Sequence, residues 1–291
     1  MTEQPRSRVF LWVLLGGGAF FLFLVGIFAL VYFSVRSQQK ETSFTGFGDK
    51  IAIVDLEGVI LTPKDVVEQL RKYGDDSSIK AIVLHVNSPG GGAAASEEIY
   101  REVLRIRDQK KKRIVASIET VGASGAYYVS SATNKIFADD ASIVGSIGVI
   151  AQWVNYEELM KWAKLKDITI KAGEFKDVGS PTRDLTPPER AYLQGLIDDM
   201  HVQFIHSVAN GRHMKDDEVR ILANGKVWTG EQAVPLKLVD QIGDFRAAVE
   251  DTASLWESKA SRHWCVPKKS AKLCLTCFSA MFPNTFPVAP S

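Results

Sequence analysis

Two glycine-rich turns, each ending a β-branched apolar run, constrain this chain more than any other feature. The first is Val86-Asn87-Ser88-Pro89-Gly90-Gly91-Gly92, after the run Ala81 to Val86. The second is Gly122-Ala123-Ser124-Gly125-Ala126, after Arg113 to Ile118. Each leads into a segment of helical character. Strand, glycine turn and helix in that order place backbone N–H groups around a bound anion or a developing oxyanion. The second turn adds a serine. A hole for negative charge and a hydroxyl nucleophile are the minimum requirement for acyl transfer.

Charge narrows the class further. Lys+Arg number 35 against Asp+Glu 34, and no basic stripe interleaves with aromatics, so nucleic acid is not an expected partner. Val9 to Phe33 carries no charged residue over about 25 positions, enough to cross a hydrocarbon core of about 30 Å. Arg6 and Arg8 precede it, and Arg36 and Lys40 follow. The run is long for a signal peptide, and Val31-Tyr32-Phe33-Ser34-Val35 is a poor cleavage site. The expectation is an uncleaved single-pass anchor in the cell membrane. The short tail, residues 1–8, stays in the cytoplasm and the large domain lies outside it. Cysteine appears only at Cys265, Cys274 and Cys277, so the body uses no disulfide and no thiol nucleophile. A single C-x-x-C without a second pair is weak evidence for zinc, and neither metal nor cofactor is expected.

Strands alternate with helices along the rest, which predicts an α/β fold of repeated βαβ units with a largely parallel sheet. Residues 34–49 read as a linker, 50–258 as the catalytic body and 259–291 as an irregular tail. Strands are expected at Lys50–Leu56, Ile79–Val86, Arg113–Ile118, Lys135–Ala138 and Ile168–Ala172. Helices are expected at Pro63–Tyr73, Ala94–Arg107, from the serine turn to about Ala132, and at Tyr156–Lys164. Gly173–Thr186 reads as a polar loop. Pro187-Pro188-Glu189 then opens a long helix, with proline in the first turn where no donor is lost.

Each candidate residue has a bland alternative. Ser124 is a nucleophile or a helix N-cap, and the G-x-S-x-G elbow is incomplete because Ala126 replaces the last glycine. The triple glycine is an anion site or a tight connection; it is neither a Walker loop nor a dinucleotide fingerprint. No histidine stands beside the serine turn, and His85 lies within an apolar strand as a satisfied core residue. Lys176, in the polar loop, is a base or a solvated cation. A free lysine is neutral in about one molecule in a few thousand at pH 7. Making it a base requires about 4–5 kcal/mol of lost charge stabilisation, chiefly through burial.

Taken together, these motifs resemble the signal peptide peptidase A family, membrane-bound serine proteases of the Clp/crotonase superfamily with a Ser/Lys dyad. The resemblance spans about Lys50 to Val249. It rests on the NSPGG turn, Ala123-Ser124-Gly125-Ala126-Tyr127-Tyr128, Gly145-Ser146-Ile147-Gly148-Val149, and Lys176 before Ser180-Pro181-Thr182-Arg183. Lys176 follows Ser124 by 52 positions, as in the short form of the family. The resemblance implies Ser124 as nucleophile, Lys176 as general base and Ser146 as the hydroxyl that holds the lysine amine. It implies the N–H groups of Gly91 and Gly125 as oxyanion hole, with Gly90 the neighbouring candidate. It further implies a crotonase-like fold assembled as a homo-oligomeric ring or dome, each subunit supplying both serine and lysine. The implied substrates are remnant signal peptides and some unfolded polypeptide. Ala126, where the family usually has glycine, and the C-terminal tail depart from the pattern. Two other classes fit parts of the sequence: a crotonase-like acyl-CoA hydratase or isomerase, and a non-catalytic membrane scaffold.

Overall fold

The computed structural model describes residue 26, residues 50–254 and the backbone of residues 263–265. The expected anchor Val9–Phe33, the linker and most of the C-terminal tail lie outside the described residues. Among those described, no helix is long and apolar enough to cross a membrane.

β-Branched runs build a sheet whose described strands follow the order β6-β5-β3-β2-β1-β8, with β4 beside β3 and β7 beside β4. In chain order these are β1 (Lys50–Ile60), β2 (Ile79–Gly91), β3 (Arg113–Ala123), β4 (Lys135–Ala138), β5 (Ile143–Gly145), β6 (Val227–Thr229), β7 (Gln241–Ile242) and β8 (His263–Cys265). All pairings are parallel except β5 with β6. The α/β reading with a mostly parallel sheet therefore holds.

Period-two alternation sends successive side chains to opposite faces. Ala52, Val54 and Leu56 of β1, Ile82, Leu84 and Val86 of β2, and Ile114, Ala116 and Ile118 of β3 all enter one core. That face is covered by α1 (Lys64–Asp75), α2 (Ala93–Leu104) and α3 (Gly125–Ser131), with the C-terminal half of α5 (Pro187–Arg212). On the opposite face Val115 and Phe137 pack under Ala248 of α8 (Phe245–Ser254). The remaining helices are short: α4 (Glu157–Trp162), α6 (Asp216–Leu222) and α7 (Gly230–Ala233).

Three differences from the sequence reading matter. The glycine turn is not a turn off the sheet. β2 continues in register to Gly91, opposite Ile60, and the N–H of Gly92 donates to the Ile60 carbonyl at 2.8 Å. Strand β3 branches, pairing with β4 through Val115–Ile118 and with β5 through Val121–Ala123, so Ser124 leaves the sheet from the β5 side. The strand expected at Ile168–Ala172 does not form. A strand needs a partner, and Ile168 and Ile170 stand exposed without one.

That missing strand belongs to an extended arm. From Ile150 to Val202 the only buried residue is Glu189. Helix α5 starts in a capping box: Thr186 Oγ1 accepts from the Glu189 N–H at 3.4 Å, and Glu189 accepts from the Thr186 N–H at 2.9 Å. Its buried apolar positions begin only at Phe204, about 18 Å along the axis from Tyr192. There Tyr128 of α3 packs on Phe204, with ring centroids 4.8 Å apart, and its hydroxyl bonds Ser207 Oγ at 2.7 Å. The arm is thus rooted on the helix that follows Ser124.

Candidate active site

Ser124 occupies the N-cap position of α3 with φ 52° and ψ −123°. A non-glycine residue there carries strain of order 1–3 kcal/mol, which the surroundings must hold in place. Two backbone bonds do so. The Ser124 N–H donates to the Gly145 carbonyl at 2.8 Å, and its own carbonyl accepts from the Tyr128 N–H at 2.8 Å, starting the helix. The hydroxyl makes no capping bond. The backbone is held while Oγ is left without a hydrogen-bond partner among the described residues.

Against this turn lies the glycine strand end. A Cβ on Gly90, whose φ is 95°, would meet the Gly125 nitrogen at 2.5 Å and Ser124 Cβ at 2.9 Å. A Cβ on Gly125 would lie 3.2 Å from the Gly91 nitrogen. Only glycines allow the two backbones to approach this closely. Between the two first-turn candidates, the hydrogen bonds discriminate. The Gly90 N–H is taken by Ser88 Oγ at 3.1 Å, with Ser88 fully buried. The Gly92 N–H is taken by Ile60. The Gly91 nitrogen, between these two committed amides, lies against Gly125. Gly91 and Gly125 are therefore the two adjacent candidate amides beside Ser124.

Ser146 follows the end of β5 as Ser124 follows the end of β3, and Ala123 pairs with Gly145. Adjacent strands are about 4.7–4.9 Å apart, which makes the two serines neighbours. Ser146 shares the unusual backbone, φ 51°, and its N–H donates to the Lys226 carbonyl at 2.8 Å. A Cβ on Gly145 would strike the Trp228 ring at 2.5 Å, so Trp228 also fixes this turn. Ser88 and Trp228 were not singled out from the sequence. Ser88 lay inside the NSPGGG motif, where its side chain could have been read as the brace of the turn.

Lys176 stands apart from this assembly. It lies in the arm, is exposed, and its side chain makes no hydrogen bond or ion pair with Ser124, Ser146 or any other described residue. The neighbouring Phe175 stacks on Tyr192, centroids 5.2 Å apart, near the outer end of α5. Asp177 pairs with Lys171 and with Arg183, and Arg183 also holds Glu189 at 2.5 Å. Arg183 and the Thr186 N–H pull the Glu189 carboxyl down to about 2.

His85 is half-buried rather than a closed core residue. Its Nδ1 lies 3.3 Å from Asp55, its Nε2 3.8 Å from Glu119, and its ring packs on Phe245. It shares the α8 face of the sheet, opposite the face that α3 covers. Asp55, Glu57 and His85 bring one ligand atom each within 4.8 Å of one another, the spacing of a cation site, but they lie several residues down the strands from Ser124.

The profile of peptidase family S49 matches residues 106–259, a span that contains Ser124, Ser146 and Lys176. A Methanocaldococcus jannaschii protein provisionally named a protease is 42% identical over 253 residues, covering 81% of this chain and 80% of that protein. A provisionally named signal peptide peptidase of Enterococcus faecium is 33% identical over 78% of this chain and 70% of its own length. Protease 4 of Haemophilus influenzae is 34% identical over 71% of this chain, and the match covers 35% of that longer protein.

Proposed function

This chain belongs to peptidase family S49 and is a serine protease, and on that footing we propose that it is a membrane-anchored endopeptidase working through a Ser124/Lys176 dyad. The observation that carries the reading is the strained Ser124 set against the Gly91 and Gly125 amides. In the proposed reaction Ser124 Oγ attacks the scissile carbonyl carbon and passes its proton to neutral Lys176 Nζ. The carbonyl oxygen, now negative, takes both amides. The tetrahedral species collapses, the C–N bond breaks, and Lys176 returns the proton to the leaving amine. Water repeats the sequence on the acyl-enzyme. Ser146 Oγ accepts from the lysine amine and orients it.

Within one subunit Lys176 is exposed and makes no hydrogen bond to Ser124 or Ser146. Its neighbour Phe175 stacks on Tyr192, in the part of α5 that precedes the first buried apolar position, Phe204. The arm itself suggests what completes the site. Ile150, Trp162 and Ile170 are 85%, 82% and 97% exposed, and large apolar side chains continue along α5 to Val202. Large apolar side chains left exposed in such number along one segment point to an interaction site. We assign it to a second copy of this chain in a homo-oligomer, the arm of one subunit carrying Lys176 to Ser124 and Ser146 of the next. Each subunit then supplies a serine and a lysine, to two different sites. Burial of the arm also supplies the water-poor surroundings that a neutral lysine needs.

The substrate reading is an extended apolar peptide, with remnant signal peptides the class proposed. Support comes from the rim: Val59 and Leu61 flank Ile60 beside Gly91, and Ile143 and Val227 flank Gly145, all exposed. Residues 9–33 would hold the protease at the bilayer where such peptides remain. The test is hydrolysis of an apolar peptide together with labelling by a fluorophosphonate. Ser124→Ala is expected to abolish both, and Lys176→Ala to abolish hydrolysis while the fold persists by circular dichroism. Hydrolysis retained in Lys176→Ala removes the lysine from the mechanism.

A further inference from the structure

The gap between the two amides must be set by something, and the residue in contact with both sides is Ser96. It lies in the first turn of α2 and is 1% exposed. Its Oγ donates to the Gly92 carbonyl at 2.9 Å, and its N–H donates to the same carbonyl at 3.0 Å. Gly92 is in turn tied to Ile60. Ser96 therefore fixes the residue directly after Gly91. On its other side, Ser96 Oγ fills the place a side chain on residue 125 would need, 2.2 Å from an ideal Cβ there, and Ser96 Cβ lies 3.2 Å from it.

A serine hydroxyl bonded to the carbonyl four residues back is common in helices and by itself needs no function. The contact with Gly125 is a separate matter. It means that one buried atom both anchors the Gly91–Gly92 strand end and backs the Gly125 peptide. We propose that Ser96 is a positioning residue for the oxyanion hole: a strut whose length sets the separation of the Gly91 and Gly125 N–H groups. It touches no substrate. It acts through the two peptides that do, and preorganised donors lose much of their effect when displaced.

This inference rests on the assignment of Gly91 and Gly125 as oxyanion hole, and the experiment separates the two. Ser96→Ala removes the bond and shortens the strut. Ser96→Cys keeps a small buried side chain but lengthens it. Four quantities are measured on the full-length protein: kcat and KM for peptide hydrolysis, the affinity of a peptidyl aldehyde that forms a hemiacetal with Ser124, and the affinity of uncleaved peptide in a Ser124→Ala background. Both Ser96 variants are expected to lower kcat about tenfold and aldehyde affinity in the same proportion. KM and uncleaved-peptide affinity should move less than twofold. A merely structural serine would lower thermal stability and leave kcat of the folded fraction unchanged, and that result overturns the proposal. So does a loss shared equally by uncleaved peptide. If Ser96→Ala does not fold, Ser96→Cys carries the same test. Failure of the wild-type protein to bind the aldehyde sinks the oxyanion reading itself rather than the role of Ser96.

Discussion

The strand ends that carry Ser124 and the arm that carries Lys176 are built on opposite principles. Around Ser124 almost every group is spoken for: strained backbone angles are pinned by short hydrogen bonds, glycines touch across strands, and buried Ser88 and Ser96 brace the turns. Along the arm, apolar side chains are exposed and Lys176 makes no side-chain bond to any described residue. On the proposed reading, the nucleophile and its amides belong to one subunit and the base is delivered by another. A lone chain is then expected to be inert and to become competent on assembly.

The largest effect that could break this comparison comes from glycine. Gly90 and Gly173 both have positive φ, 95° and 100°, but a Cβ on Gly90 strikes backbone whereas one on Gly173 meets nothing within 4 Å. Gly90→Ala is expected to cost about 3 kcal/mol or more and to abolish hydrolysis. Gly173→Ala should cost about 1 kcal/mol, from backbone strain alone. Denaturant unfolding of the two variants measures this, and equal losses would erase the distinction between braced site and open arm.

A smaller effect sharpens it from the other side. Trp162→Asp with Ile170→Asp changes exposed positions, so subunit stability should shift by no more than about 0.5 kcal/mol at each. Assembly, measured by light scattering, should fail, and hydrolysis should fall about 100-fold. Loss of folding instead would mean that these side chains serve the subunit's own core.

The smallest effect is in acid. The Glu189 carboxyl is depressed to about 2 from an ordinary 4.5 by Arg183 and by the Thr186 N–H. A depressed carboxylate contributes stability that is present above its unfolded value and lost as pH falls towards its folded value. Between about pH 4.5 and 2, amides in the first turns of α5 should therefore exchange faster while those of β2 and β3 stay protected. Hydrogen exchange with residue resolution checks it, and uniform loosening would contradict a separately held arm.

Much of the fold was legible because its strands are β-branched runs with a regular alternation, and because the start of α5 announces itself with Pro187 and Glu189. Gly90, Gly91, Ser124 and Gly125 are drawn to one point, as the two glycine turns suggested. Less legible was anything that depends on a partner. Ile168 and Ile170 alternate like strand residues, but among the described residues no neighbour strand pairs with them, so the pattern misled. The short strands β6 and β7 carry too few residues to show a period. Ser88 and Ser96 are ordinary serines in sequence, and their roles arise only where β2, α2 and α3 converge. Lys176 could be named by resemblance, but no local pattern says which serine it serves.

Co-assembly of Ser124→Ala with Lys176→Ala chains tests the central claim most directly. Neither variant alone hydrolyses peptide if the dyad is correct. If the lysine of one subunit serves the serine of another, an equal mixture regains activity at about a quarter of its sites, where an intact serine meets an intact lysine. A mixture as inactive as its two parents contradicts a base delivered between subunits.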